Sequence, residues 1–391
     1  MAPNAELFRN ARWLMIASGT WRLDIPNVPK SFYKFYKIYS TAIHLYYSST
    51  PVALLLELYS LFKYDKVAGF ENISMFIYMV ILIVKIRICQ SRRVIELLRT
   101  SLKEETDIHS QSDKNILKIY KSHVSYCTKI TTFLTVLVVW SAIYLSGSGI
   151  INSWTFPEFV SNETVSKPLP LSLWYPFDKN KHHNFVLSHQ ITQIMLTSLF
   201  SGSVHTFSNS VMIYLRARLV ILQHQFKNFD SITACTESPK VDLAGHLRLK
   251  ALSIKHQRLI RSVHNLNQLL QGIMVLEYSV TSVVLAAVIF QILEREELIF
   301  NCSYFVLVTC QLMALAWNSD QIIVQSFGLS TSLYSSRWYE QDLTTKRMTH
   351  IMIMRCQKPL CLTIGSFGAM TTDAALSRLK LAYSYISVMT S

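Results

Sequence analysis

Apolar residues along this chain gather into seven long runs, at 38–62, 69–88, 130–151, 186–215, 271–293, 303–329 and 368–390. A helix needs about 20 apolar residues to cross a bilayer, and each run reaches that length. The pattern predicts an all-α membrane protein with seven transmembrane helices. Apolar residues persist at helical spacing between some runs, as Ile95, Leu98 and Leu102 after the second and Leu243, Leu247, Leu252 and Leu259 after the fourth. Helices two and three are therefore expected to continue through 92–129, and helices four and five through 216–270. The segment 152–185 is rich in Pro and aromatics (Trp154, Phe156, Pro168, Pro170, Trp174, Tyr175, Pro176), which predicts an ordered cover rather than a floppy linker.

The polar positions orient these spans. Six Lys and Arg precede the first run, eight follow the second, nine follow the fourth and five precede the last, against six in all the other loops together. Positive residues stay cytoplasmic, so the expected topology is inverted, with the amino terminus cytoplasmic and the carboxyl terminus extracellular. The sequons at Asn72, Asn162 and Asn301 all fall on the side poor in Lys and Arg, where a glycosylation acceptor must lie. The net charge of +14 belongs mostly to the cytoplasmic loops, so it reads as topology and contact with anionic membrane lipid, not as a nucleic-acid surface. Residues 1–37 lack a signal-peptide pattern and form a cytoplasmic amino-terminal segment whose Phe32, Tyr33, Phe35 and Tyr36 suit the membrane interface.

The last run carries a polar stripe. Asp373, Ser377, Lys380, Ser384, Ser387 and Ser391 recur at helical spacing, with Ala375, Leu379, Ala382, Tyr383, Ile386 and Met389 on the other side. Lipid offers such a stripe nothing. It faces water, as one pore-lining helix per subunit, or it packs inside a monomeric bundle. Ser146-Gly147-Ser148-Gly149 offers the same kind of choice, between close helix contact and room for a ligand.

Catalytic signatures are missing: there is no G-x-S-x-G, H-E-x-x-H or Walker loop, and nothing argues for an enzyme or a cofactor. No C-x-x-C pair marks a zinc site, and Cys302 and Cys310 stand about 12 Å apart along one helix, too far to bridge. His182, His183 and His189 read as ordinary histidines before a metal site. Glu57 and Glu277 lie within or near spans, and an ionisable group at such depth is a functional candidate by default.

The final 60 residues resemble the signature end of insect odorant receptors, in Trp338-Tyr339, Lys346-Arg347, Lys358-Pro359-Leu360, Leu362-Thr363-x-Gly365, Phe367, Leu379–Tyr383 and Ser384-Tyr385. The inverted seven-span layout resembles the same family, as a tuning subunit rather than the co-receptor. The resemblance implies an odour-gated, non-selective cation channel in the plasma membrane of olfactory sensory neurons, a heteromeric tetramer with the odorant receptor co-receptor. It places a pocket for a small volatile odorant within helices one to six (38–330), at Ile73, Phe76, Ile77, Tyr144, Gly147, Ser148, Thr192, Met195, Leu196 and Tyr304. It makes 331–367 a cytoplasmic anchor region, with its helix at about 338–357 and Trp338, Tyr339, Lys358 and Pro359 holding subunits together. The last helix, 368–391, would line the pore, with Ser384 and Ser387 beside a gate at Val388; Lys380 sits oddly for a cation path. Gustatory receptors are the nearest alternative, but Ser391 stands where their ending has Gln. A G-protein-coupled receptor would need D-R-Y and N-P-x-x-Y, which are missing from the third and seventh spans.

Overall fold

The structure, a computed structural model, describes residues 6–23, 30–64, 66–110, 113–155, 159–160, 163–164, 168–229, 239–293 and 298–390. Among these, ten α-helices make up nearly everything: α1 (Arg9–Ala17), α2 (Lys30–Tyr64), α3 (Lys66–Cys89), α4 (Arg92–Ser110), α5 (Lys114–Thr155), α6 (His183–Lys227), α7 (Pro239–Leu293), α8 (Leu298–Tyr334), α9 (Leu343–Cys356) and α10 (Thr372–Thr390). A two-residue antiparallel pairing, Phe159–Val160 with Glu163–Thr164, interrupts the long loop after α5. The chain is all-α; six of the seven apolar runs fall within one helix each, α2, α3, α5, α6, α7 and α8, and the last falls mostly in α10.

The long helices are amphipathic in different degrees. On α5 the buried residues Ile116, Tyr120, Cys127, Thr131, Leu134, Val138, Ala142, Ser146, Gly149 and Ser153 step by three, four or seven and form one stripe. That stripe lies against α6. α6 itself is central: from Phe200 to Leu215 every residue but Ser208 is buried. Ser201, Gly202, Ser203 and Ser210 let neighbours approach closely, and Ser203 and Ser210 satisfy their hydroxyls on the carbonyls of Phe200 and Thr206. So polar a helix does not need lipid, because other helices surround it. Among the described residues, α5, residues 245–293 of α7, and α8 are long and apolar enough to cross a membrane by composition alone.

The bundle has two ends. At the upper end, residues 168–182 cross between α2, α3 and α6. At the lower end, α5, α6 and α7 run on unbroken as expected, but the continuation of the second span does not. A turn at Gln90-Ser91 separates α3 from α4. Residues 6–23 of the amino-terminal segment pack on the bundle: Leu7, Phe8, Ala11 and Met15 are buried, with Phe8 5.6 Å from the Tyr214 ring. Glu105 of α4, fully buried, accepts from the Glu6 N–H at 2.9 Å, the Leu7 N–H at 3.0 Å and the Tyr120 hydroxyl at 2.5 Å. Burial raises its pKa above the usual carboxylate range despite those donors.

The last helix starts at Thr372, not 368. Two glycines with left-handed backbone, Gly365 (φ 53°) and Gly368 (φ 113°), turn the chain there. Hydrogen bonds from Ile364 N to Gly368 O and from Met370 N to Leu362 O close the turn.

Candidate functional site

The main core runs through the lower end and the middle of the bundle. Near the top it gives way to two small apolar clusters. One gathers Leu54, Met79, Ala142, Leu171, Leu173 and Ile194, with Phe76, Tyr78, Leu145 and Tyr175 packed around them. The other gathers Leu285, Ala286 and Ala382, with Ile289, Phe305, Val308 and Leu379 around them.

The cover over the first cluster is pinned at several points. Gln190 of α6 accepts from Leu171 N at 3.0 Å and donates to Leu171 O at 2.8 Å. Asn72 of α3 donates to Ser172 O at 2.8 Å, Trp174 N donates to Ala53 O at 3.2 Å, and Lys179 pairs with Glu57 at 2.6 Å. Glu57 is thus a latch for the cover. Pro170 packs so closely on Gly149 that a Cβ there would stand 2.4 Å from its ring. The loop histidines also serve packing: His183 meets the Ser153 hydroxyl at 2.5 Å, and His189 meets the Tyr175 hydroxyl at 2.9 Å.

Beside this cluster stands an aromatic column. Tyr144 of α5 stacks on Phe300 of α8 at 5.9 Å, and Phe300 stacks on Tyr304 at 5.8 Å. Two of the expected site residues thus share one stack, joined by Phe300, which sequence reasoning missed. Next to Tyr144 on α5, a Cβ at Gly147 would meet nothing within 4 Å, whereas Ser148 spends its hydroxyl proton on Leu145 O. Phe76 joins the small cluster, Ile73 is half-buried, and Ile77 and Leu196 pack on the main core.

Two expectations fail on geometry. Thr192 and Met195 lie on the exposed side of α6, and the Thr192 hydroxyl is bonded to Ser188 O. The inward face one position away carries Gln190, Gln193 and Ile194, all buried. Ser146, expected only as part of the Ser146–Gly149 run, has its hydroxyl buried with no hydrogen-bond partner among the described residues, on the stripe that carries Ala142 and Gly149. The four- and three-residue spacing of Ala142, Ser146, Gly149 and Ser153 was the available signal.

Two sequons are corrected as well. Asn72 and Asn301 are helical and buried, and the Asn72 amide is engaged by the cover, so neither presents the surface that a glycan requires. Asn162 lies outside the described residues. Glu277, a candidate by depth, is paired: Lys85 Nζ stands 2.6 Å from its Oε1 and His205 Nε2 3.8 Å from the same oxygen. The three residues tie α7, α3 and α6 together.

On α10, Asp373, Ser377, Lys380 and Ser384 are all exposed, while Ala375 and Ala382 are fully buried. The polar stripe therefore points away from this chain's own bundle, which removes the reading that it packs inside a monomer. Tyr383 is exposed rather than packed. The side chains of Ser387 and Val388 lie outside the described residues, as does Ser391.

At the lower end, Trp338 packs on the core and edge-on to His350, 5.6 Å away. Tyr339, Lys358 and Pro359 are exposed. Asp342 caps the start of α9, its carboxylate accepting from Thr344 N and Thr345 N; hydrogen bonding with Thr345 above all holds its pKa below the usual range. One face of α9 is buried through Thr345, Thr349, Met352 and Cys356. The opposite face exposes Leu343, Ile351 and Met354, an apolar surface of the sort that marks an interface.

The family model for the 7tm odorant receptor matches residues 67–383. Odorant receptor 10 of Aedes albopictus is 26% identical over 187 residues, 47% of this chain and 49% of that protein; the chain spans about half the length of this relative. Odorant receptor 30a of Drosophila melanogaster is 22% identical over 288 residues, 71% of each chain. The solved structure of the insect olfactory receptor OR5 from Machilis hrabei shares the fold, with a TM-score of 0.79 at 14% identity over 98% of this chain and 97% of that one. The same receptor in complex with eugenol matches equally, with a TM-score of 0.79.

Proposed function

Because this chain belongs to the 7tm odorant receptor family, we propose that it is the odorant-binding subunit of an odour-gated, non-selective cation channel. Its partner is the family's co-receptor, in a heteromeric tetramer in the plasma membrane of olfactory sensory neurons. The upper end faces outside and the lower end is cytoplasmic, as the loop charges require. The observation that carries the channel reading is the direction of the α10 stripe. A membrane helix whose exposed face holds Asp373, Ser377, Lys380 and Ser384 has a physical place beside a water-filled lumen shared with other subunits.

The ligand is a small, mostly apolar volatile, of the kind to which eugenol belongs in the related receptor. It lies between the aromatic column and the small cluster under the cover. Burial supplies most of its affinity, roughly 25 cal/mol per Å² of apolar surface, with Ser146 and Gln193 as polar contacts. Tyr304 and Phe305 are adjacent on α8 and point about 100° apart. Tyr304 belongs to the aromatic column, and Phe305 packs with Leu379 and Ala382 of α10. A ligand that shifts α8 therefore biases α10, and ligand filling selects the arrangement in which the last helices part and Val388 leaves the axis. The exposed apolar face of α9, with Tyr339, is the contact between subunits.

Voltage clamp of cells making this chain with the co-receptor tests the reading. Tyr304→Leu is expected to move the odour half-response by about tenfold or more, a loss near 1.4 kcal/mol, without changing the reversal potential. Ser384→Cys is expected to become sensitive to a charged thiol reagent that leaves the wild-type current alone. Odour-evoked current that ignores the reagent at Ser384→Cys would remove α10 from the ion path.

A further inference from the structure

The described residues hold a cavity at the lower end that the odour reading does not use. It lies between α4, α6 and α7, with a volume of about 40 Å³. One water needs roughly 10–15 Å³ by this measure, so the space suits a group the size of a phosphate. Three cations converge on it, Arg218 from α6 and Lys255 and Arg258 from α7, against one carboxylate, Glu104 of α4.

That carboxylate is already occupied. Its Oε2 accepts from the Tyr214 hydroxyl at 2.6 Å and lies 3.2 Å from Arg218 Nη2. Among the described residues, Lys255 donates to a neutral acceptor, Gln225 Oε1, at 3.4 Å. Arg258 is exposed at the mouth. Among the described lining residues, three cations thus face one carboxylate that is already engaged, a surplus of positive charge that favours an anion. Burial first, and then the Arg218 charge, pushes the Lys255 ammonium below its ordinary pKa, with the Glu104 carboxylate opposing them.

We propose that this cavity binds a phosphate monoester, seated between Arg218, Lys255 and Arg258, with the rest of its molecule outside beyond Arg258. Guanidinium groups match phosphate oxygens in bidentate geometry and the lysine adds a point charge. The site lies 13 residues along α6 from His205, about 20 Å below the Lys85–Glu277 pair. On the topology argued above, that depth lies in the cytoplasm, so a soluble phosphate ester is the source rather than a lipid headgroup. Because α6 and α7 carry both this site and the buried ion pair, an occupied site braces the lower end.

Thermal unfolding of the full-length receptor, purified in neutral detergent, tests this without odour or current and reaches both faces of the protein. Inositol 1,4,5-trisphosphate is expected to raise Tm saturably, while sodium sulfate at equal ionic strength is not. Lys255→Gln and Arg258→Gln are each expected to raise the half-saturating concentration about tenfold. Arg258 is exposed, so Arg258→Gln should keep the unliganded Tm and separate lost binding from lost folding. A parallel arm places the receptor in nanodiscs with and without phosphatidylinositol 4,5-bisphosphate. Stabilisation by that lipid alone, abolished by the same variants, keeps the phosphate site and moves its source to the membrane. No saturable rise with either probe, or the same rise in both variants, overturns the proposal.

Discussion

Tyr120, Phe226, Leu249 and Leu333 at the lower end are completely buried, whereas Phe76, Tyr144 and Tyr304 at the upper end are only half-buried. The lower residues belong to one continuous core. The upper ones border two small clusters held down by a pinned cover. Dense interiors behave like crystals and keep one arrangement. Small clusters with open space, as beside Gly147, can reshape around a guest. On the proposed reading, one end serves as a frame and the other as a place where a few contacts change hands.

The largest expected effect breaks the tie between the two ends. Lys85→Met leaves the Glu277 carboxylate buried and unpaired, which costs about 3–5 kcal/mol. Unfolding in detergent and surface labelling should both fall sharply, and Lys85→Met with Glu277→Met should recover much of the loss. A single variant as stable as wild type would mean the frame does not depend on this pair. Next is Glu105→Ala, which strands two backbone N–H groups and the Tyr120 hydroxyl at about 1–3 kcal/mol. Limited proteolysis should then cut near α1 sooner; an unchanged digestion pattern would uncouple α1 from the frame.

At the upper end a pair of glycines sharpens the contrast. Gly149→Ala drives a methyl into Pro170 and should lift the cover, weakening odour responses about tenfold while the lower end keeps its protease resistance. Gly147→Ala meets open space and should change stability by less than about 0.5 kcal/mol, altering the order of preferred odours only. Equal odour profiles for both variants would argue that the ligand lies elsewhere.

A separate test of the frame is its pH dependence. His256, buried at the lower end and edge-on to Phe226, has its pKa lowered to about 4, by burial first and then by Arg355. The fold favours the neutral ring. Stability is full above the unfolded value near 6.5 and is lost as pH falls from there toward 4. Tm measured at pH 7.5, 6.5 and 5.5 should drop in that window, and His256→Gln should flatten the drop; parallel curves would assign the acid sensitivity to another group.

The seven spans, the long extensions of α5, α6 and α7, and the polar stripe of α10 follow from periodicity, because each is a local property of one segment. Sequence reasoning named Tyr144 and Tyr304 but not Phe300, the ring that joins them, since a stack between α5 and α8 depends on how two helices cross. It selected Thr192 and Met195 by depth and missed their direction, which differs by one residue from the buried Gln193 and Ile194. It marked Asn72 and Asn301 as acceptors because a sequon carries no burial term.

The distribution of apolar runs and loop cations thus determined by itself that this is a helical membrane protein and which residues share a helix face, since both depend only on composition and helical period. Tertiary structure alone decided which faces meet. It paired Lys85 with Glu277 across helices, seated Glu105 on the amino-terminal segment, and turned the α10 stripe outward. Such contacts join residues about 100 to 190 positions apart, and no local pattern encodes them, because burial of a polar group is tolerable only where a distant partner arrives to meet it.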